Sequence, residues 1–384
     1  MERFNIKSQN NGAQRTEDLI SFLKIFYEGF INVNWKRTFH LGNDAVLGLD
    51  IGSSAVKMIV LNKAKSSYTV TAAGIAWIAK NDQSNSDQRT NAVNAIRECL
   101  EQTQTKVKNA VCGVSGQEVA VRDFEFAPLL DDEIAAAVSL EASQVCPFNA
   151  TDIAVHYQVL PNDEARTKGV LVAATNAIVA DKTQLVRDAG LKCVLMDIDG
   201  LGLLNCYNGL TRGRQKNPAE KSVAILNVGA TLTTLAIMDN NGWPFIRDMN
   251  QAGEDIIMQI AALNETPIET IRKILFGEVI PGELNLQNSL DKTCQKLIAD
   301  ISGTLRFYAA QAKSMEVDKL LVCGGFALAK GFIDLLNKRL GIKAVLWNPF
   351  EDLHIKTNQC CEELCKKKGP ALAVATGLAM RTLY

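Results

Sequence analysis

The sequence has no excess of charge of either sign and no long hydrophobic run. Its 384 residues include 41 lysines and arginines and 42 acidic residues, for a net charge of −1. This balance predicts no strong electrostatic attraction to nucleic acid. No apolar stretch is long enough to span a bilayer. The length suffices for two domains with separate cores, so we expect a globular protein of that organisation.

The sequence also gives no sign of export. The apolar segment at 17–35 is not followed by the small-residue cleavage site of a signal peptide. The ten cysteines mostly stand alone within apolar runs, as Cys112, Cys146, Cys193 and Cys206 do. Such cysteines are typical of reduced core residues in a cytoplasmic protein.

One group of cysteines has an alternative interpretation. Cys360, Cys361 and Cys365 closely follow His354. Three thiolates and one imidazole can bind zinc. Adjacent cysteines fit poorly into one tetrahedral site, so we favour ordinary thiols and keep a metal or redox role as the alternative.

What the sequence does have is glycine in three informative places. The first is a turn between a buried strand at 46–51 and a second apolar strand at 56–61. Gly52 removes the side chain where the backbone approaches a ligand. Ser53 and Ser54 add hydroxyl and amide groups, and successive turn N–H groups form a concavity that binds anions. The turn therefore predicts a phosphate-binding loop, with an ordinary polar hairpin as the alternative.

Two charged residues flank this turn. Lys57 supplies positive charge close to the loop. Asp50 ends the first strand, where a carboxylate cannot itself bind phosphate. It can hold Mg²⁺ through water, because that ion keeps much of its hydration shell. We therefore predict a magnesium site beside the phosphate loop.

A second segment repeats the first. Residues 224–238 contain an apolar strand, a turn with Gly229, Ala230 and Thr231, and another apolar strand. The repetition indicates an internal duplication. Two such hairpins that face each other can hold a phosphate chain from both sides.

In the third segment, paired glycines end a buried strand. Gly324 and Gly325 would let a base and ribose lie flat against the backbone, and a helix begins after Lys330 and Gly331. The alternative is a strand–loop–helix connection of any α/β fold. The order and separation of the three segments together predict a single nucleotide cleft.

The three segments resemble the phosphate-1, phosphate-2 and adenosine motifs of the actin, Hsp70 and sugar-kinase superfamily. Within it, the chain resembles the PilM family of type IV pilus assembly proteins, relatives of the cell-division protein FtsA. The likeness runs from about residue 44 to the C-terminus. It includes 124–134 (FEFAPLLDDEI), 141–148 (EASQVCPF), 155–160 (VHYQVL), 169–175 (GVLVAAT), 194–199 (VLMDID) and 245–248 (FIRD).

The resemblance implies an α/β protein with the actin-like fold of Hsp70, actin and FtsA. That fold has two related RNase H-like domains around a nucleotide cleft, here with a small insert subdomain of the FtsA and PilM type. The expected parts are an N-terminal extension (1–43), subdomain 1A (44–115 and 370–384), insert subdomain 1C (116–192), a connection (193–220), subdomain 2A (221–254 and 314–369) and subdomain 2B (255–313).

For the site, the resemblance implies ATP and Mg²⁺ between the two halves. The expected nucleotide-binding residues are Gly52, Ser53, Ser54, Lys57, Gly229, Ala230, Thr231, Gly253, Gly324, Gly325, Lys330 and Gly331. Asp50 and Asn227 would serve the metal through water. Asp197 resembles the connecting acidic residue that orients an attacking water, and the alternative is a helix N-cap shared with Asp199.

Asn227 departs from the superfamily pattern, which has aspartate at this place in the second phosphate loop. Asparagine keeps the shape and the hydrogen bonding but loses the charge. Loss of one preorganised electrostatic group commonly costs about 100-fold in rate. We therefore expect nucleotide binding with slow or negligible hydrolysis, so that the protein is at most a slow ATPase.

The resemblance further implies a protein partner. It is the N-terminal cytoplasmic peptide of a PilN-like inner-membrane protein, bound in a groove between the first domain and its insert. Candidate groove residues are Phe124, Phe126, Val155 and Tyr157, and the alternative for each is a core position. The expected location is cytoplasmic, at the inner face of the cytoplasmic membrane, with membrane contact mainly through partners. Self-association is left open.

Residues 1–43 lie outside the likeness. A polar start suggests disorder, and the spacing of apolar residues predicts an amphipathic helix over 17–35. The helix has no clearly basic face, so we favour packing on the protein or on a partner over contact with lipid.

Two other functions stay open on the sequence alone. One is an FtsA-like polymerising protein, although FtsA generally ends in an amphipathic membrane-targeting helix. The other is a small-molecule kinase of the hexokinase superfamily, which would need an acidic base in the cleft and room for a substrate. The cytoplasmic part of a type II secretion platform is a variant of the pilus interpretation.

Overall fold

The two segments that repeat each other in the sequence form the centres of two sheets with the same strand order. The computed structural model describes residues 46–64, 67–79, 85–149, 152–159, 166–211, 222–238, 243–277, 285–311 and 317–383. The N-terminal extension predicted at 1–43 lies outside these described residues.

The first sheet has six strands in the order β14-β3-β2-β1-β4-β8. The strands are β1 (Val46–Ile51), β2 (Ala55–Ala64), β3 (Ser67–Trp77), β4 (Asn109–Val114), β8 (Lys192–Ile198) and β14 (His354–Ile355). β1 pairs antiparallel with β2 and parallel with β4. All six residues of β1 are buried, as a continuous apolar run predicts for a central strand.

The second sheet has five strands in the order β11-β10-β9-β12-β13. They are β9 (Ser222–Val228), β10 (Thr233–Met238), β11 (Pro244–Met249), β12 (Val317–Cys323) and β13 (Lys343–Leu346). Here β9 pairs antiparallel with β10 and parallel with β12, as β1 does with β2 and β4. The duplication predicted from the two hairpins therefore extends to whole sheets, in which β9 is the counterpart of β1 and β12 that of β4.

A third sheet of three antiparallel strands is inserted after β4. It contains β5 (Val119–Phe126), β6 (Ile153–Val159) and β7 (Thr167–Thr175) in the order β5-β7-β6, and helix α2 (Asp131–Val145) covers one face. On that face Phe124 and Leu171 pack against Ile134 and Val138. The other face of β7 joins the core of the first sheet through Val170 and Val172.

Two elements near the expected domain boundaries belong to the first sheet or pack on it. The insert sheet ends at Thr175, whereas we expected the insert to continue to 192; helix α3 (Asn176–Asp188) instead packs against β4 and β8 of the first sheet. β8, placed in the expected connection 193–220, is a strand of the first sheet. Both placements depend on long-range strand pairing, which sequence periodicity does not report.

The remaining helices surround the two sheets. They are α1 (Asn85–Thr103), α4 (Asp199–Thr211), α5 (Gly253–Leu263), α6 (Ile268–Leu275), α7 (Gln287–Thr293), α8 (Gln295–Gln311), α9 (Phe332–Arg339), α10 (Gln359–Lys368) and α11 (Ala373–Met380), with 3₁₀ turns at Phe326–Leu328, Pro349–Asp352 and Gly369–Leu372. Within the described ranges, no helix is long and apolar enough to cross a membrane.

Helices α4 and α11 cross in direct backbone contact between the sheets. A Cβ atom placed on Gly377 of α11 would lie 1.7 Å from the carbonyl oxygen of Gly202 in α4. On its other side α11 lies against β1, where a Cβ on Gly48 would lie 2.0 Å from the carbonyl oxygen of Ala375. Glycine at these positions is what allows the helices and the strand to approach so closely.

The isolated cysteines lie mostly in the cores. Cys112, Cys193 and Cys206 are buried, and Cys146 is half-buried. A hydrogen bond with Cys193 together with burial raises the pKa of Cys112, and burial raises that of Cys206, so both thiols stay protonated at neutral pH.

The C-terminal cysteines do not share one surface. Cys361 and Cys365 are buried on the inner face of α10, where the Cys361 thiol donates a hydrogen bond to the carbonyl oxygen of Ala73 (3.1 Å). Cys360 and His354 are exposed. Cys361 is therefore used in packing α10 onto β3.

Candidate functional site

A cavity of about 340 Å³ lies between the two sheets, and the two repeated turns meet across it. The hydroxyl of Thr231 donates a hydrogen bond to that of Ser53 (2.8 Å). The cavity is lined by Asp50, Ile51, Gly52, Ser53, Ser54, Lys57, Gly113, Ser115, Gly116, Lys182, Asp199, Asn227, Gly229, Ala230, Thr231, Leu232, Thr234, Gly324, Gly325, Ala371 and Val374.

The two turns are closed by the same backbone hydrogen bond. The N–H of Gly52 donates to the carbonyl of Ala55 (3.1 Å), and the N–H of Gly229 donates to that of Leu232 (2.9 Å). In both cases the partner is three residues further along the chain. The two turns are thus duplicates in conformation as well as in position.

The strand pairing shows that the side chains beside the two turns also occupy equivalent positions. Asp50 lies directly opposite Lys57 in the first hairpin, and Asn227 lies directly opposite Thr234 in the second. Lys57 Nζ is 3.0 Å from Asp50 Oδ2, in an ion pair that is largely buried. The second hairpin replaces this charged pair by a neutral one.

Residues of the third predicted segment line two different cavities. Gly324 and Gly325 line the cavity between the sheets. Lys330 and Gly331 line a neighbouring cavity of about 330 Å³, whose wall includes Leu275 of α6. The backbone N–H of Lys330 donates to the carbonyl of Leu275 (2.8 Å), which ties the end of this loop to α6.

Gly324 has a conformation that requires glycine. Its φ is +93°, and a Cβ atom there would lie 2.4 Å from the carbonyl oxygen of Val228 and 2.6 Å from Asn227 Oδ1. Its N–H donates to the carbonyl of Pro370 (2.8 Å), at the entrance to α11. The glycine thus lets the third segment pack on the second phosphate loop.

Gly253 supports the second loop from behind and is not in the cavity wall. Its N–H donates to the carbonyl of Gly229 (3.0 Å), and the next N–H, of Glu254, donates to that of Ala230 (2.8 Å). A Cβ at Gly253 would lie 2.7 Å from the ring of Phe326. Gly253 therefore has a supporting role behind the second loop in this structure.

Two acidic residues, Asp50 and Asp199, line the cavity, whereas Asp197, the predicted catalytic acid, is not in its wall. Asp197 is buried, with 1% of its side chain exposed, and its Oδ2 is 3.1 Å from Nε of Arg381 at the end of α11. Asp199, at the first position of α4, lines the cavity, and its Oδ2 accepts a hydrogen bond from the Ser115 hydroxyl (2.6 Å). The strand ends between the two residues, so only the second reaches the opening.

Asp199 is held where a carboxylate is costly. A Cβ on Gly113 would lie 1.9 Å from its Oδ1, and that buried oxygen has no hydrogen-bond partner among the described residues. Burial raises the pKa of Asp199 to about 7, and the nearby charge of Asp50 acts in the same direction. The protonation state of this carboxyl can therefore be changed by a bound cation or by a change of pH.

Replacement of Asp199 by asparagine is expected to stabilise the ligand-free protein at high pH. The folded state holds this proton more tightly than the unfolded chain, so the stabilisation is complete below about pH 4 and is lost as the pH rises to about 7. Asp199→Asn cannot ionise and avoids that loss. Urea unfolding should show a gain on the order of 2 kcal/mol at about pH 8 that shrinks towards about pH 4. An equal effect at all pH values would contradict the raised pKa.

A further carboxylate, the half-buried Asp248 of β11, connects the second sheet to the insert. Its Oδ1 accepts from the hydroxyl of Thr234 (2.6 Å), and its Oδ2 accepts from the N–H of Gly116 (2.7 Å). Thr234 and Gly116 both line the cavity, and Gly116 begins the turn that leads into β5. Burial raises the pKa of Asp248.

Sequence reasoning missed several groups at this site. Ser115, Gly116 and Lys182 line the cavity but had not been singled out, and Asp248 had been noted only as part of a family segment. Ser115 and Gly116 follow β4 at the place where Gly324 and Gly325 follow β12. The duplication itself was therefore the signal that could have found them.

The duplicated sheets, with two glycine-closed hairpins across a cavity, define an actin-like fold. Residues 48–383 match the family model described as type IV pilus assembly protein PilM. The match covers most of the chain, which therefore belongs to the PilM family of type IV pilus assembly proteins. The family and the fold class predicted from the sequence are both confirmed.

Two solved structures illustrate the similarity. One is described as a PilM–PilN type IV pilus biogenesis complex; it has a TM-score of 0.74 at 21% identity, over 89% of this chain and 100% of that chain. The other is a glycerol dehydratase reactivase, with a TM-score of 0.50 at 11% identity, over 87% of this chain and 99% of that one. At these identities the likeness establishes the fold.

Proposed function

We propose that the chain is an ATP-binding adaptor of type IV pilus assembly that binds the N-terminal cytoplasmic peptide of a PilN-like inner-membrane protein. Membership of the PilM family supports a role in type IV pilus assembly, and the solved PilM–PilN complex supports a PilN-like protein as the partner. The observation that carries the nucleotide part is the meeting of two duplicate turns, Thr231 on Ser53, at the mouth of one cavity. The proposed location is at the cytoplasmic face of the inner membrane.

The phosphates of ATP would lie between the two turns. Backbone and hydroxyl groups of Gly52, Ser53 and Ser54 would bind them from one side, and the loop 229–231 from the other. The nucleoside would follow the loop 324–331, which runs from this cavity to the neighbouring one. Lys57, held by Asp50, would add charge at the first loop.

The side chains at the cavity fit a hydrated magnesium ion. Mg²⁺ prefers oxygen ligands and keeps several waters. Asp50, Asn227 and Asp199 present side-chain oxygens at or beside the cavity, and Asp199 Oδ1 is a buried oxygen without a hydrogen-bond partner in the described chain. When bound, the ion would neutralise phosphate charge.

Hydrolysis by this site is proposed to be slow because Asn227 is neutral. Its Oδ1 lies 3.9 Å from the Cys323 thiol and close to Gly324, and the residue lines the cavity. Asn227→Asp would return a charge beside the phosphates. It should raise ATP hydrolysis between about 10- and 100-fold in a steady-state phosphate-release assay. An unchanged rate would mean that this charge does not limit turnover.

The peptide is proposed to add to the open edge of the insert sheet. β6 is an edge strand, while the end of β5 where the insert begins lies near the second sheet. The N–H of Asn176 donates to the carbonyl of Asp152, directly opposite (3.1 Å). Backbone groups alternate along a strand, so those of Val155 and Tyr157 face the open edge. An extended peptide would bond to them there.

Binding of the peptide at the open edge of β6 reduces the number of candidate groove residues. Phe124 is buried against α2, so it belongs to the core of the insert. Phe126, Val155 and Tyr157 are half-buried at the margin of the same cluster, so only part of each side chain is exposed to a peptide.

Titration of the full chain with the N-terminal cytoplasmic peptide of a PilN-like protein, with and without Mg-ATP, tests the proposal. We expect saturable binding that a scrambled peptide does not reproduce. Val155→Pro should abolish it, because it removes an edge N–H at a position where proline is tolerated, and Val155→Thr should retain it. Absence of saturable binding under both conditions would rule out the adaptor.

A further inference from the structure

Lys182 brings a cation into the nucleotide cavity from outside the three glycine segments. It lies in the second turn of α3, which starts directly after the insert strand β7 with the Thr175 hydroxyl accepting from the N–H of Ile178 (3.3 Å). The Lys182 ammonium donates a hydrogen bond to the carbonyl of Ile51, the residue before Gly52. The side chain also lines the cavity.

This cation differs from Lys57 in its partners. Lys57 is engaged by Asp50 in an ion pair (3.0 Å). Within the described residues, Lys182 has no carboxylate at ion-pair distance, and its bond to Ile51 uses one of the three donors of an ammonium group. Its other donors and its charge are available to an anion in the cavity.

The position of Lys182 within the cavity indicates which phosphate it would meet. Gly324 and Gly325 line the second-sheet side, where the nucleoside would enter, and Ser115 and Asp199 line the first-sheet side. Lys182 acts on Asp199 electrostatically and contacts the end of β1, so it belongs to the first-sheet side. A phosphate chain that starts at the nucleoside loop and passes between the two turns ends there.

We propose that Lys182 binds the terminal phosphate of ATP and so makes the site select a nucleoside triphosphate over a diphosphate. This inference rests on the proposed nucleotide function. A charge-assisted hydrogen bond to phosphate is available only when the third phosphate is present. Because Lys182 also bonds to the Ile51 carbonyl, its contact with the terminal phosphate couples that phosphate to the first loop.

The test measures dissociation constants of the full chain for Mg-ADP and for a non-hydrolysable imido analogue of Mg-ATP. Wild type should bind the triphosphate at least about 10-fold more tightly. Lys182→Met should weaken triphosphate binding about 10- to 100-fold and change diphosphate binding less than about 3-fold. Lys182→Arg should keep part of the preference. Arg187→Met, which removes an exposed cation from the same helix, should behave as wild type.

The outcomes separate this inference from the proposed function. Equal affinity of wild type for the two nucleotides, or loss of both affinities by the same factor in Lys182→Met, would overturn the role of Lys182 while leaving nucleotide binding intact. Failure of wild type to bind either nucleotide would overturn both. If Lys182→Met does not fold, the proposal is still tested by the preference of wild type for the triphosphate and by the affinities of Lys182→Arg for the two nucleotides.

Discussion

Replacement of Gly377 by alanine is expected to destabilise the protein by more than about 3 kcal/mol. The added Cβ would lie 1.7 Å from the carbonyl oxygen of Gly202 and 3.2 Å from Cβ of Cys206. The first of these atoms is backbone, so α4 and α11 would have to move apart. Overpacking of a core commonly costs about 1 to 3 kcal/mol, and a backbone clash at a helix crossing exceeds that range. Urea unfolding of the two proteins measures the difference.

Gly303→Ala is the matched control for this prediction. Gly303 lies within α8, and a Cβ there would meet nothing within 4 Å. The same substitution should therefore stabilise the protein by about 0.5 to 1 kcal/mol through helix propensity alone. Opposite signs for the two variants would show that the crossing, and not the loss of glycine, sets the effect. Destabilisation of less than about 1 kcal/mol at Gly377 would contradict the close crossing.

Replacement of Gly324 by alanine is expected to weaken nucleotide binding by about 100-fold or more. The positive φ strains any side chain, and the added atom would overlap Val228 and Asn227 of the second phosphate loop. Relief of that overlap moves the nucleoside loop and the phosphate loop apart. A loss of about 2.7 kcal/mol of binding energy corresponds to 100-fold in affinity. Equilibrium titration with a fluorescent ATP analogue provides the measurement.

Gly341→Ala serves as the control, since a Cβ at that position would meet nothing within 4 Å and the residue lies beyond α9, away from both cavities. It should leave the affinity unchanged. Circular dichroism must show that Gly324→Ala is folded. A folded Gly324→Ala variant with wild-type affinity would show that the third segment does not contribute to the site.

Most of the fold could be predicted because its signals are local. Strands such as β1 are continuous apolar runs, and the turns at Gly52 and Gly229 repeat the same short pattern. The repeated pattern predicted the repeated hairpin, and the structure extends the duplication to whole sheets and to the backbone hydrogen bonds that close the two turns.

The site could be predicted only where its residues lie in those local patterns. Asp197 and Asp199 are two residues apart and were indistinguishable by strand periodicity. What separates them is Arg381, which comes from the far end of the chain and pairs with Asp197. Lys182 lies in the middle of an ordinary helix, and only the packing of α3 on the first sheet brings it to Ile51. Such placements depend on tertiary structure, to which a single sequence gives no direct access.

Asp248 accepts hydrogen bonds from Thr234, in the proposed nucleotide cavity, and from Gly116, at the start of the insert to which a peptide would bind. Thr234 and Asp248 are paired within the second sheet, so a rotation of that sheet against the insert changes the hydrogen bond from Gly116. The phosphate end of the cavity and the base of the insert are therefore coupled through Asp248. Thermodynamic linkage then requires reciprocity: the factor by which nucleotide alters affinity for a peptide on the insert equals the factor by which that peptide alters affinity for nucleotide.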